Sequence, residues 1–167
     1  MTLDQLLSDH TVNRVASRIW ARDPAVFVGA DAAPAVTAAI RNRLGWLDAP
    51  AAMPARAAEI EAFRQRAAED GLTDIYLLGM GGSSLCAEVL RDVLGVPGHP
   101  NRLVVLDTTD ELAIQRVATS LVPARALFLV ASKSGSTLEV TSLERYFWGL
   151  MSAAVETPGR HFAAITD

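Results

Sequence analysis

Four short apolar runs constrain this fold more than any other feature of the chain. They are Asp74-Ile75-Tyr76-Leu77-Leu78, Leu103-Val104-Val105-Leu106-Asp107, Ala126 to Ala131, and Phe162 to Ile165. Each is nearly continuous in apolar character rather than alternating, which predicts strands covered on both faces. Helical patterns fill the gaps, over Ser83 to Leu94, Asp110 to Leu121 and Ser136 to Val155. Segments of that length are what crossovers between parallel strands require. The expected fold class is therefore α/β, a three-layer parallel sheet over residues 71–167. In such sheets ligands lie outside the carboxyl ends of the strands. Those ends carry Gly79 to Ser84, Asp107 to Asp110, Ser132 to Thr137, and Thr166-Asp167, so the four loops are expected to share one edge.

Before Gly71 the texture differs. Residues 1–70 read as a helical segment packing on the core. Leu3, Leu6, Leu7, Val12, Val15, Ile19 and Trp20 predict an opening helix ending near Asp23-Pro24. Val36, Ile40 and Leu44 mark a second helix, from Ala33 to Leu44, closed by Gly45. Pro54 suits the first turn of a third, running to Asp70, with Ile60, Phe63 and Ala67 turned to the core. Trp20, Trp46 and Trp148 read as core anchors.

With 167 residues, half of them apolar, the chain can build a real core. Its net charge of −4 provides no basic stripe for nucleic acid. No apolar run is long enough to span a membrane. Asp4 and Asp9 interrupt the first ten residues, so no signal peptide is expected. A lone cysteine, Cys86, excludes an intramolecular disulfide and fits a reducing cytoplasm; in its helix it reads as a packed thiol. His10, His99 and His161 share no metal-ligand spacing, so no metal and no cofactor are expected.

Chemistry concentrates in two loops. Gly79-Met80-Gly81-Gly82-Ser83-Ser84 leaves the first strand and opens a helix, where free N–H groups and the helix dipole favour an anion. Ser83 or Ser84 also suits a simple N-cap. The second loop, Ser132-Lys133-Ser134-Gly135-Ser136-Thr137, holds the only lysine among fifteen basic side chains, the rest being arginine. An ammonium is a compact point charge, and the hydroxyls beside it supply directed donors, a set matched to a phosphate monoester. A solvated turn with Ser136 capping the next helix accounts for the hydroxyls but not for the lone lysine. Glu139, in the first turn after the loop, gains from the helix dipole and also suits a supporting role at the site. Asp107 and Asp110 read mainly as caps. No Walker lysine follows the glycine turn, which argues against a nucleotide triphosphatase.

Gly79-Met80-Gly81-Gly82-Ser83 resembles the glycine–serine motif of glucose-6-phosphate isomerases. Ser132 through Glu139 resembles that family's Ser-Lys-Thr/Ser…Thr-x-Glu signature, with Ser134 where many members have Thr and Val140 replacing a common Thr. The stretch from Asn42 through Leu90 is similar to the isomerase half of transaldolase/glucose-6-phosphate isomerase fusions. The resemblance implies a flavodoxin-like sugar isomerase (SIS) domain, one half of a two-domain enzyme of glycolysis and gluconeogenesis. By position, Ser132, Lys133, Ser134 and Thr137 would bind the phosphate of glucose 6-phosphate or fructose 6-phosphate, and Gly82 and Ser83 would approach the sugar phosphate. The family moves a proton between C2 and C1 through a cis-enediolate, with a glutamate, a histidine, an arginine and a lysine lying beyond the region matched. No catalytic base is therefore expected within this chain, which alone would be inactive. A cytoplasmic location and a homodimer are also implied.

Two other readings remain. One is a non-catalytic module that senses sugar phosphate. The other is a dinucleotide-binding domain, since Gly79-x-Gly81-x-x-Ser84 approximates G-x-G-x-x-G/A and Asp107 ends the second strand; it leaves the lysine loop unexplained.

Overall fold

The computed structural model describes residues 10–95 and 101–166. Leu3, Asp4, Leu6, Leu7, Asp9, His99 and Asp167, which figured in the sequence reading, lie outside them. The chain divides into two compact units, Met1–Ile60 and Glu61–Asp167.

The first unit is helical. Helix α1 spans His10–Trp20 and α2 spans Pro34–Arg43. Helix α3, Ala49–Glu69, begins in this unit and ends in the second. It starts five residues before the predicted Pro54, which falls inside it. Pro50 stands at the second helical position, where a missing N–H costs nothing, and the good helix formers Ala51, Ala52 and Met53 follow. Ile60 and Phe63 are exposed rather than turned inward, so that expectation is corrected. Among the described residues of the first unit, Leu44 and Leu47 are the buried leucines.

In the second unit β1 (Asp74–Gly79), β2 (Arg102–Leu106), β3 (Ala126–Ala131) and β4 (Phe162–Ile165) form one all-parallel sheet in the order β2-β1-β3-β4. Register runs Asp74↔Arg102, Asp74↔Ala126 and Phe128↔Phe162. Helices α4 (Gly82–Leu94), α5 (Glu111–Ser120) and α6 (Leu138–Ala154) occupy the crossovers. This is the expected α/β fold. Parallel pairing also brings all four strand ends, and thus all four polar loops, to one edge.

The period of two in each strand divides its side chains between the faces. Tyr76, Leu78, Leu106, Ala126 and Phe128 point to the face covered by α5 and α6, where Leu143, Phe147 and Met151 meet them. Three rings surround Phe128, with centroid distances of 5.1 Å to Tyr76, 5.0 Å to Phe147 and 4.8 Å to Phe162. Burying one such side chain contributes about 1.5–3 kcal/mol. Phenylalanine and tyrosine thus anchor the core, and the tryptophans do not: Trp20, Trp46 and Trp148 are all exposed. Trp148 packs its ring against Phe162 at the margin of the cluster.

At the amino edge of the sheet the buried Asp74 carboxylate accepts from Arg125 Nη2 at 3.2 Å, with Arg102 Nε 3.7 Å away. Arg102 also donates to the Tyr76 hydroxyl. The starts of β1, β2 and β3 are thereby tied together at the end remote from the four loops.

Candidate anion site at the carboxyl edge of the sheet

The glycine turn after β1 is shaped by close approach. A Cβ on Gly79 would lie 3.0 Å from the Ser83 carbonyl oxygen, a tight contact that glycine avoids where the strand end meets the start of α4. Gly81 takes the N-cap position and offers no side-chain acceptor. Ser84 is buried and donates its hydroxyl to the Gly81 carbonyl at 3.0 Å; it does not cap the helix. In place of a side-chain cap, the Ser83 and Ser84 amides donate to the Met80 and Gly81 carbonyls at 3.2 and 3.1 Å.

The lysine loop is built similarly. Ser132 is buried, and its hydroxyl donates to Thr137 Oγ1 at 3.1 Å. Thr137 stands at the N-cap of α6 but makes no capping bond. The Ser136 amide and hydroxyl both donate to Ser134 Oγ, at 3.3 and 3.1 Å, so Ser136 does not cap the helix either. Gly135 has φ +65°, the left-handed region that favours glycine. Helix α5 differs from these two. Asp110 caps it by accepting from the Ala113 amide at 2.9 Å, which supports the capping reading of that residue. Of the three crossover helices, the two that follow the glycine and lysine loops are those without side-chain caps.

Lys133, Gly82 and Ser83 line one open cleft of about 520 Å³, together with Cys86 and Thr166. Leu77, Leu103, Leu129 and Ile165 form its floor, on the sheet face opposite the aromatic cluster. Lys133 is exposed toward this cleft, and among the described residues its ammonium makes no ion pair or hydrogen bond. A free cation, two helix starts without side-chain caps and several hydroxyls at one edge can together hold a tetrahedral dianion.

Ser132 borders a second cleft, of about 460 Å³, on the other side of the lysine loop with Gly135, Thr141, Glu144, Trp148 and Thr166. The predicted set thus divides: Gly82, Ser83 and Lys133 share the first cleft, whereas Ser132 faces the second. Ser134 and Thr137 sit in the loop between. Glu139 is exposed in the first turn of α6 and lines neither cleft. Cys86 is exposed in the first cleft, correcting its reading as a packed thiol. Thr166 escaped the predicted set, although its place just past a strand's carboxyl end was the signal for it. His161 lies away from this edge, with Nδ1 2.8 Å from the Ala126 carbonyl oxygen.

The family model for phosphoglucose isomerase matches residues 7–167. The chain belongs to the phosphoglucose isomerase family. Among sequences of that family, glucose-6-phosphate isomerase from Geobacter sp. (strain M21) is 35% identical over 142 residues, covering 71% of this chain and 25% of that protein. The corresponding protein of Campylobacter jejuni subsp. jejuni serotype O:2 is 34% identical over 95 residues, covering 56% of this chain and 23% of its own length. A hypothetical protein from Thermus thermophilus superposes with a TM-score of 0.68 at 26% identity, over 93% of this chain and 33% of that one. Glucose-6-phosphate isomerase from Chlamydia trachomatis D/UW-3/Cx shares the fold, with a TM-score of 0.61 at 22% identity, over 92% of this chain and 26% of its own. The chain spans about a quarter of the length of the phosphoglucose isomerase relatives it matches. Among the described residues no helix is long and apolar enough to cross a membrane.

Proposed function

We propose that this chain is the phosphate-binding part of an enzyme that interconverts glucose 6-phosphate and fructose 6-phosphate in central carbohydrate metabolism. Ser132, Lys133, Ser134 and Thr137 hold the phosphate, and Gly82 and Ser83 approach it from the neighbouring loop. The observation that carries this reading is the unpaired Lys133 ammonium, which shares a cleft with Gly82 and Ser83 beside a helix start that lacks a side-chain cap. Charge-assisted hydrogen bonds are worth roughly 1.5–3 kcal/mol each. Three or four of them, less ordering costs, reach the roughly −8 kcal/mol of micromolar binding.

Isomerisation needs a general base near C1 and C2. The residues lining the Lys133 cleft include no carboxylate and no imidazole. In this reading the base comes from sequence outside the chain. The same observation favours, as a second reading, a module that senses sugar phosphate without turning it over.

Calorimetric titration tests the site. The wild-type chain is expected to bind fructose 6-phosphate and inorganic phosphate saturably, and Lys133→Ala to weaken both at least tenfold without lowering thermal stability. Unchanged affinity in a folded Lys133→Ala variant refutes the assignment.

A further inference from the structure

We infer that Thr166 reads the sugar portion of the ligand, its hydroxyl hydrogen-bonding a sugar hydroxyl while the phosphate rests at Lys133. This rests on the phosphate reading above and adds a residue that the loop motifs do not contain.

Thr166 follows β4, one strand beyond the lysine loop, and lines the cleft that also holds Lys133, Gly82 and Ser83. Its position is set by backbone structure. Pairing of Ala131 with Ile165 fixes the strand end, and the Ser132 amide donates to the Ile165 carbonyl at 3.0 Å. An added Cβ on Gly135 would lie 3.7 Å from Thr166 Oγ1, which places the hydroxyl directly beside the turn of the lysine loop.

The hydroxyls of the lysine loop contact one another, Ser132 donating to Thr137 and Ser136 to Ser134, which leaves Thr137 and Ser134 with donor hydrogens for an anion. Among the described residues the Thr166 hydroxyl has no hydrogen-bond partner. Thr166 lines the β4 side of the cleft, while Gly82 and Ser83 line it from the β1 side. A sugar carried on a phosphate at Lys133 has that β4 side open to it. Threonine also fits chemically, since its hydroxyl both donates and accepts, as a sugar hydroxyl does.

Calorimetric titration of the full chain with fructose 6-phosphate and, separately, inorganic phosphate tests this. Thr166→Val keeps the shape and removes the hydroxyl. It is expected to weaken fructose 6-phosphate roughly fivefold, the worth of one neutral hydrogen bond, and to leave inorganic phosphate within twofold. Thr166→Ser is expected to restore fructose 6-phosphate affinity to within twofold of wild type. Equal weakening of both ligands by Thr166→Val, no effect on either, or failure of Thr166→Ser to restore binding overturns the role of Thr166. Lys133→Ala separates the two levels. If it weakens both ligands while Thr166→Val changes neither, the phosphate site stands and the sugar contact falls. If it weakens neither, or the wild-type chain binds neither, both fall together.

Discussion

Each hydroxyl of the lysine loop has a specific partner, and the partners decide what remains for a ligand. Ser132 draws the Thr137 hydroxyl toward itself and so keeps it from capping α6. Removing that donor is expected to have two opposed effects. In Ser132→Ala, Thr137 is free to turn onto its own helix, where a cap is worth about 1 kcal/mol, which offsets the lost hydroxyl pair. Urea denaturation should therefore place stability within about 1 kcal/mol of wild type. Calorimetry on the same variant should show weaker phosphate binding, because a donor is lost and an internal oxygen now occupies the helix start. The lone lysine and its hydroxyls were legible in the sequence because chemistry there is written in residue type. Their pairing was not, because Ser136, Ser134 and Thr137 are each competent caps and only the backbone path selects among them. Cys86 and the tryptophans were misread for a related reason: apolar character favours burial without saying which apolar residues the sheet leaves uncovered.

At the level of elements, the apolar runs located the strands to within a residue or two. Ala126–Ala131 and Phe162–Ile165 match the expected runs, Gly79 is added to β1, and β2 is shifted by one residue, gaining Arg102 and losing Asp107. Strand limits were clear because glycine, proline or clustered polar residues bound each run. The start of α3 was not, since Pro50 and Pro54 make equal claims to a first turn and the alanines between them fit either choice. Within that helix Glu61 accepts from Arg64 at 2.6 Å and from Gln65 at 3.1 Å. The Arg64 bond first, and the Gln65 bond second, hold the Glu61 carboxyl down at about 2. A carboxyl depressed in the folded state contributes stability above the ordinary glutamate range and loses it as pH falls toward the folded value. Because this pair is exposed, solvent screens it and the contribution is small. Carbon-detected NMR titration should find Glu61 still ionised at pH 3, and Arg64→Ala should return it toward the ordinary range.

For the whole molecule, family membership and the all-parallel sheet agree, and the sheet sets the strand-end loops at one edge. The expected fold followed from strand–helix alternation alone, whereas the catalytic groups could not be read from residues that include no base at the cleft. In the proposed reading, the chain binds sugar phosphate without turning it over. A coupled assay for glucose 6-phosphate formation from fructose 6-phosphate should show no rate above background with the isolated 167-residue chain, while titration shows binding. Turnover by that chain would place a working base within it and refute the proposed division.

The amide of Ser132 extends the β3–β4 ladder one step past Ala131. The last strand therefore acts as a splint for the anion cradle. Fraying of that margin would slacken the lysine turn before the aromatic centre melts, so ligand affinity and the integrity of the outermost strand should rise and fall together.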